Sequence, residues 1–345
     1  MDPRFREDDE ELSSTGPFCW RHHSQQNDAP TPTPQPDNAT IHPSQLSLAP
    51  MATTLLAVVL ALAACYALPD LRRLRDFGWL QHWLASWTED GGSRPRGFPM
   101  VIVALIVVAV CLLVQGAIRH VVFGLAAFAF AVTVLYYSIG PRDLEQDVDA
   151  TLAAPDDASR LAAAQNLRPD PAIAPLPLEA PALVEATFLS ALSRVFGVLF
   201  WFVVLGPAGA LGYRVIQLMA RAPLVRDETS AEDRNLAERV ARILDWAPAH
   251  LLTLALALAS DFDRVIKAWR DYHDTHGEGW FTLDLGFLPV AARSGVDADV
   301  IAGDGYATDV SDPLGELADA RALLRRILVI WLVAIAVLAL SGWTY

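Results

Sequence analysis

Residue types that could do chemistry fall in four places along the chain. The stretch DYHDTHGEG (271–279) sets His273 and His276 three apart, with Asp271, Asp274 and Glu278 close by. Such a set can ligate a divalent ion when a helix presents both imidazoles on one side. The spacing matches no zinc signature, and Gly277 stops the helix beside it. A solvated helix end explains the same residues. His273 and His276 are therefore the only candidate ligands, and neither a metal nor a cofactor is expected. Asp143, Glu145, Asp147, Asp149 and the Asp156-Asp157 pair make an acidic surface. Paired carboxylates can hold Mg²⁺ for a phosphate substrate, but the solvated faces of short helices account for these. The third place is LGPAGALGYR (205–214). Backbone amides at a Gly-rich turn can cradle an anion, with Arg214 beside it. No strand precedes it and the Lys and Ser/Thr of a phosphate loop are absent, so close packing of small residues between helices is favoured. The fourth is Asp245-Trp246 with His250. Asp245 can cap the following helix, with Pro248 at an early helical position. A buried pairing of Asp245 with Arg214 or with His250 stands as the alternative. No Ser-His-Asp or Cys-His arrangement has defensible spacing. Cys19, Cys65 and Cys111 form neither a disulfide framework nor a zinc site.

The elements that must position these groups are apolar. Of 345 residues 53% are hydrophobic and 19% charged, whereas soluble domains carry about 25% charged residues. The solvent implied is the lipid bilayer. A net charge of −14 offers no basic stripe for phosphates, so nucleic acid is excluded as a partner. A helix needs about 20 apolar residues to cross the hydrocarbon core. Residues 52–68, 98–118, 121–139 and 327–340 meet that need, the last extended by Trp343 and Tyr345, which suit the headgroup interface. Arg72, Arg73, Arg75, Arg94 and Arg96 place the 69–97 loop in the cytoplasm, with the hairpin tip at Arg119-His120 outside.

Two further apolar runs are interrupted. Residues 195–211 contain Gly206-Pro207, and 247–260 contain Pro248 and His250. Proline removes a backbone donor and glycine loosens a helix. Full crossing by 195–211 would also put Arg214, Arg221, Arg226, Arg234, Arg239 and Arg242 outside, so these runs are expected to dip in from the cytoplasmic side or pack against the spans. Between them lie short polar helices split at Pro155, with Asp156 or Asp157 capping the second. A Pro-rich linker over 169–181 follows, then a helix from 183 into the apolar run. Residues 229–245 form an amphipathic helix capped by Thr229 or Ser230, with Leu236, Val240, Ile243 and Leu244 on its buried face. Residues 261–276 are helical, and 277–312 are a Gly- and Asp-rich loop. Residues 1–50 are acidic and then Pro-rich with no apolar period, so they cannot offset ordering entropy. They are expected to be a disordered tail or a mis-assigned start before Met51.

VLFWFVVLGPAGALGYR (198–214) and ILDWAPAHLLTLALALASDF (243–262) resemble the AmpE family, which is encoded with a muropeptide amidase and associated with β-lactamase induction. MATTLLAVVLAL, IGPRDLEQDV and the closing span sit in the same order, so the resemblance covers about 51–345. That family is itself similar to the CobD/CbiB membrane enzymes of cobalamin biosynthesis, which attach aminopropanol to a corrinoid carboxylate. In those enzymes a Glu-Asn…Asp-Gly motif precedes the Gly-Pro run. Here the corresponding stretch, 189–194, is LSALSR and lacks both acids, while Glu185 lies upstream and off register.

These readings converge on an all-α polytopic membrane protein with about four transmembrane helices, a broken or re-entrant helix pair and a cytoplasmic helical region. Residues 51–139 hold three spans, 140–326 the mainly cytoplasmic region, and 327–345 the last span. The resemblance implies a multi-pass protein of the bacterial inner membrane, a non-enzymatic regulator of β-lactamase induction and cell-wall recycling. Its partners would be the bilayer and a protein or muropeptide-related ligand. The candidate ligand-binding residues are Gly206, Pro207, Tyr213, Arg214, Asp245 and Trp246. The alternatives are a cobalamin-type amide synthase and a small-anion transporter.

Overall fold

A computed structural model describes residues 49–67, 78, 82, 98–118, 124–140, 142–170, 174–222, 231–277 and 282–341, all within the unit Pro43–Tyr345. The expectations for 1–48, the arginines of the 69–97 loop, the tip at 119–120, the Thr229 or Ser230 cap, and Trp343 and Tyr345 lie outside the described residues. Every long regular element among the described residues is helical: α1 (Ala49–Ala67), α2 (Phe98–Ile118), α3 (Leu125–Ser138), α4 (Leu144–Ala153), α5 (Asp157–Ala164), α6 (Ala180–Ala191), a π-helical turn (Leu192–Phe196), α7 (Gly197–Arg221), α8 (Ala231–Ala259), α9 (Phe262–His276), α10 (Phe287–Ala302) and α11 (Pro313–Leu340).

Helices α7 and α8 form the centre. α7 packs on α2, α3 and α8, while α8 also meets α9, α10 and α11. Around them α1 packs on α3 and α11, and α6 on α10 and α11. The core between them is built from Phe188, Phe196, Leu199, Tyr213, Leu252 and Phe287. On the outside, Leu60 of α1, Leu105 and Leu113 of α2, and Val329 and Val333 of α11 are exposed. Two helices are long and apolar enough to cross a membrane by length and composition: the continuous Ala180–Arg221 stretch of 42 residues and Ala231–Ala259. Shorter apolar helices occupy 53–65, 102–118 and 125–138.

The break expected in 195–211 is present at one residue. Gly206 has φ 69° and ψ −157°, a conformation that suits glycine, and Pro207 begins the second half of α7 where its missing N–H is no loss. The run 247–260 differs from expectation. It is the second half of the 29-residue helix α8, which continues through Pro248. A proline in a helix leaves the carbonyl four residues back without its donor. Here that carbonyl is Leu244 O, and Trp201 Nε1 donates to it at 3.1 Å. The indole of α7 thus offsets the lost bond and joins the two helices at the same point.

The short helices α4 and α5 are split at Pro155 as expected. Asp156 caps α5 by accepting from the Ser159 amide, in a reciprocal capping box. Two expectations fail. Residues 277–312 contain α10, whose Phe287, Leu288, Ala291, Ala292 and Val296 are buried. Its apolar side is built largely of alanine, and Gly295 sits against Leu256 of α8, where a Cβ would lie 2.9 Å from the leucine Cδ1. Small residues chosen for close approach carry a faint hydrophobic period. In α8 the buried stripe is Ala237, Ala241 and Asp245, whereas Leu236 and Ile243 are 36% and 53% exposed. Close contact with α7 again selects alanine, and the bulkier residues face outward.

Candidate functional site

Asp245 is fully buried in the middle of α8. Its Oδ1 accepts from Tyr213 Oη at 2.6 Å and Gln217 Nε2 at 2.8 Å, and its Oδ2 accepts from Arg221 at 2.9 Å. Tyr213, Gln217 and Arg221 are spaced four apart, so they form one polar stripe down an otherwise apolar helix. Tyr213 owes its position to Gly197, where a Cβ would lie 2.2 Å from the phenol oxygen. Asp245 is therefore no helix cap, and it pairs with neither Arg214 nor His250. It ties the second half of α7 to α8 by a buried ion pair with two further donors. Burying a carboxylate this deeply requires such compensation.

The other predicted residues surround this centre in different roles. Arg214 is 5% exposed and lies where the charges of Arg194 and Arg221 act on it. The Trp246 and His250 rings lie 4.4 Å apart, tilted by 40°, and His250 Nδ1 meets Trp246 O at 2.7 Å. Gly206 and Pro207 form the break. Gly209 lies over the Trp201 carbonyl, and Gly212 against Val108 of α2, so close approach explains these glycines. The imidazoles do not assemble as ligands. His273 is buried and its Nε2 accepts from Trp269 Nε1 at 3.0 Å, while His276 is exposed and stacks on Tyr272. Among the described residues no group of three His, Cys, Asp or Glu is placed to hold a metal ion.

A second buried ion pair was missed by sequence reasoning. Asp147 of α4 is 2% exposed; its Oδ2 takes Arg194 at 2.8 Å and its Oδ1 takes Arg142 Nε at 3.1 Å. Arg194 stands on the π-helical turn at the head of α7 and also donates to Asn166 O at 2.6 Å. A π-turn widens the backbone locally and recurs at functional sites. The stretch 189–194 thus presents an arginine to an acid supplied by the IGPRDLEQDV segment. The rest of the acidic surface is paired: Glu145 with Arg325 at 2.7 Å, and Asp149 with Arg321. Asp143 caps α4.

Beside Asp245 opens a cavity of about 230 Å³, lined by Asp170, Leu189, Leu192, Arg221, Glu238 and Arg242 among others. Its wall combines guanidinium and carboxylate groups with apolar side chains. That arrangement suits a small polar ligand held by charge. Arg221 and Gln217 could have been found from their fourfold spacing to Tyr213. Nothing local flags the cavity, which α6, α7 and α8 build together.

Comparison with known proteins corrects the functional expectation. A cobalamin biosynthesis protein CobD from Chromobacterium violaceum is 27% identical over 198 residues, which is 53% of this chain and 62% of that protein. The chain therefore spans less than two thirds of that relative's length. No solved structure matches. Nothing supports the likeness to AmpE or a role as a regulator of β-lactamase induction; the Gly-Pro and Asp-Trp stretches behind that reading fall within a span matching a different family. Residues 54–280, about two thirds of the chain, match the CobD/Cbib protein family, and to that family the chain belongs.

Proposed function

We propose that this chain is a membrane-embedded amide synthase of cobalamin biosynthesis, joining an amine to a corrinoid side-chain carboxylate. The observation that carries the reading is the family match over 54–280, a span that contains Asp147, Arg194, Arg214, Arg221 and Asp245. The cavity beside Asp245, at about 230 Å³, lies below the ~300–1,000 Å³ usual for drug-sized ligands. It admits a small amine or a side-chain arm, and a corrin ring stays outside. Arg221 and Arg242 would orient an anionic group there. The carboxylate must first be activated as an acyl phosphate by a nucleoside triphosphate. The amine then attacks as the free base, and the C–N bond forms as the phosphate leaves with the carboxylate oxygen. The carboxylates on the cavity wall, Asp170 and Glu238, are placed to take the amine's proton. The two acids absent from 189–194 are not replaced at those positions, so the reading makes the cavity carboxylates carry the acidic roles.

The test is complementation of a bacterial strain lacking its own synthase. The wild-type chain is expected to restore corrinoid-dependent growth, and Asp245→Asn to restore it at least tenfold less well. Absence of growth with the wild-type chain present in the membrane fraction overturns the reading.

The site lies in a bilayer under this proposal. α1, α2, α3 and residues 327–340 cross the bacterial inner membrane, and the exposed leucines and valines on α1, α2 and α11 meet lipid. Gly212 touches α2 at Val108, about halfway along it. The second half of α7 then lies at membrane depth, and Arg221 is near the end of α2 that follows the 69–97 loop. The cavity accordingly opens toward the cytoplasm. Single cysteines at His120→Cys and Asp304→Cys, in a chain without its own cysteines, report on this. An impermeant maleimide added outside intact spheroplasts is expected to label position 120 and spare 304. The reverse pattern rejects the topology.

A further inference from the structure

Helix α11 begins with two acids one turn apart, and they have opposite surroundings. Asp319 is 3% exposed and fully engaged: its Oδ1 accepts from the Tyr306 amide at 2.6 Å and its Oδ2 from the Ala307 amide at 3.0 Å. It thereby seats the 303–312 segment on the first turns of α11. Gly305 lies directly over that carboxylate, where a Cβ would be 2.5 Å from Oδ2, and Gly315 lies under Ala307 at 2.4 Å. Glu316 is 2% exposed, and its Oε1 is buried with no hydrogen-bond partner. A charged carboxylate left in that condition costs far more than a neutral carboxylic acid, which loses only a neutral group's hydrogen bonds.

The charges acting on Glu316 are mostly of its own sign. From α10 come Asp297 and the opposing Arg293; from α11 itself come Asp319 and Asp312. Arg293 is shared with Glu185 of α6 at 3.1 Å, which weakens its help, and Arg264 of α9 acts on Asp297. We propose that Glu316 is a proton-operated latch: protonated, it lets α10, the 303–312 segment and α11 close on one another, and ionised, it drives them apart. Burial, then Asp297 and Asp319, raise its pKa to about 7. Burial likewise pushes Asp297 upward. The folded state therefore holds this proton more tightly than the unfolded chain does. The contribution to stability is complete below the ordinary value of 4.5 and is lost as pH climbs to about 7. The latch accordingly works near neutral pH, and it does not depend on the amide-synthase reading.

Backbone hydrogen exchange on the full-length protein in detergent tests the latch. Protection of the peptide spanning 303–315, corrected for the intrinsic pH dependence of exchange, is expected to fall roughly tenfold between pH 6 and 8.5, the factor that one pKa unit of coupling represents. Glu316→Gln, neutral at every pH, is expected to keep the pH 6 protection throughout. Asp297→Asn removes a like charge and should move the transition to lower pH in a chain that keeps Glu316. A flat wild-type profile overturns the proposal. So does a fall that survives in Glu316→Gln, or a transition that Asp297→Asn leaves in place.

Discussion

Asp245→Ala is expected to destabilise the protein by about 3–5 kcal/mol, the range for removing one partner of a buried ion pair. The substitution leaves Tyr213, Gln217 and Arg221 without their shared acceptor. Tyr213 cannot swing far to find another, because its ring fills the space over Gly197. Arg221 is 24% exposed along its side chain and can recruit some water, which puts the loss toward the lower end. At about 2.1 cal/mol/K of unfolding entropy per residue, each kcal/mol moves the melting midpoint of a 345-residue chain by about 1.4 °C. A fall of roughly 5 °C in a detergent melt is therefore expected. Asp245→Asn keeps one acceptor oxygen for Tyr213 and Gln217 but loses the charge and sets an amide N–H2 against the Arg221 donor, so it should fall between wild type and alanine. Equal midpoints for all three proteins would mean that this network does not tie α7 to α8.

That network also shows what a sequence can disclose. Asp245 stands out because an acid inside an apolar stretch must be compensated. Its partner does not stand out, because the choice depends on which side of α7 faces α8. Tyr213 and Arg214 are neighbours in the chain but about 100° apart around a helix. A one-residue error therefore exchanges the true partner face for the adjacent one. Gly206-Pro207 was legible for the opposite reason: its effect is local, and a positive φ followed by a missing N–H breaks a helix in any surroundings. Pro248 carries the same local signal and yet α8 continues, since Trp201 supplies the donor from another helix. Helix α10 was hidden because its core side uses alanine and glycine, which weigh little in a hydrophobic period. The two stretches taken as an AmpE likeness are those that fold into the break of α7 and the centre of α8. Such scaffold residues say how the helices cross and little about what is bound between them, which is why the functional inference from them failed while the break at Gly206 was found.

The pair formed by Asp147 and Arg194 predicts a sharper result than any single substitution. Asp147→Ala strands Arg194, whose side chain is 13% exposed, with only the Asn166 carbonyl to satisfy it. A loss of about 3–5 kcal/mol is expected. Arg194→Leu should cost less, because Arg142 remains on Asp147 and its own side chain is 58% exposed to water. In the double variant no stranded charge is left on the Arg194 side, and buried ion pairs replaced by apolar groups are commonly neutral. The double variant should therefore be more stable than Asp147→Ala alone, with a coupling energy within about 0.5–3 kcal/mol. Chemical denaturation of the four proteins in one detergent measures it. Additive losses would show that the two residues do not act as a pair. Coupling would mean that α4 holds the π-helical turn at the head of α7. The register of α7 from that turn through Gly206 to Tyr213 sets where Asp245 finds its donors. The acid that 189–194 lacks would then be supplied in space by α4, acting on the frame of the cavity instead of inside it.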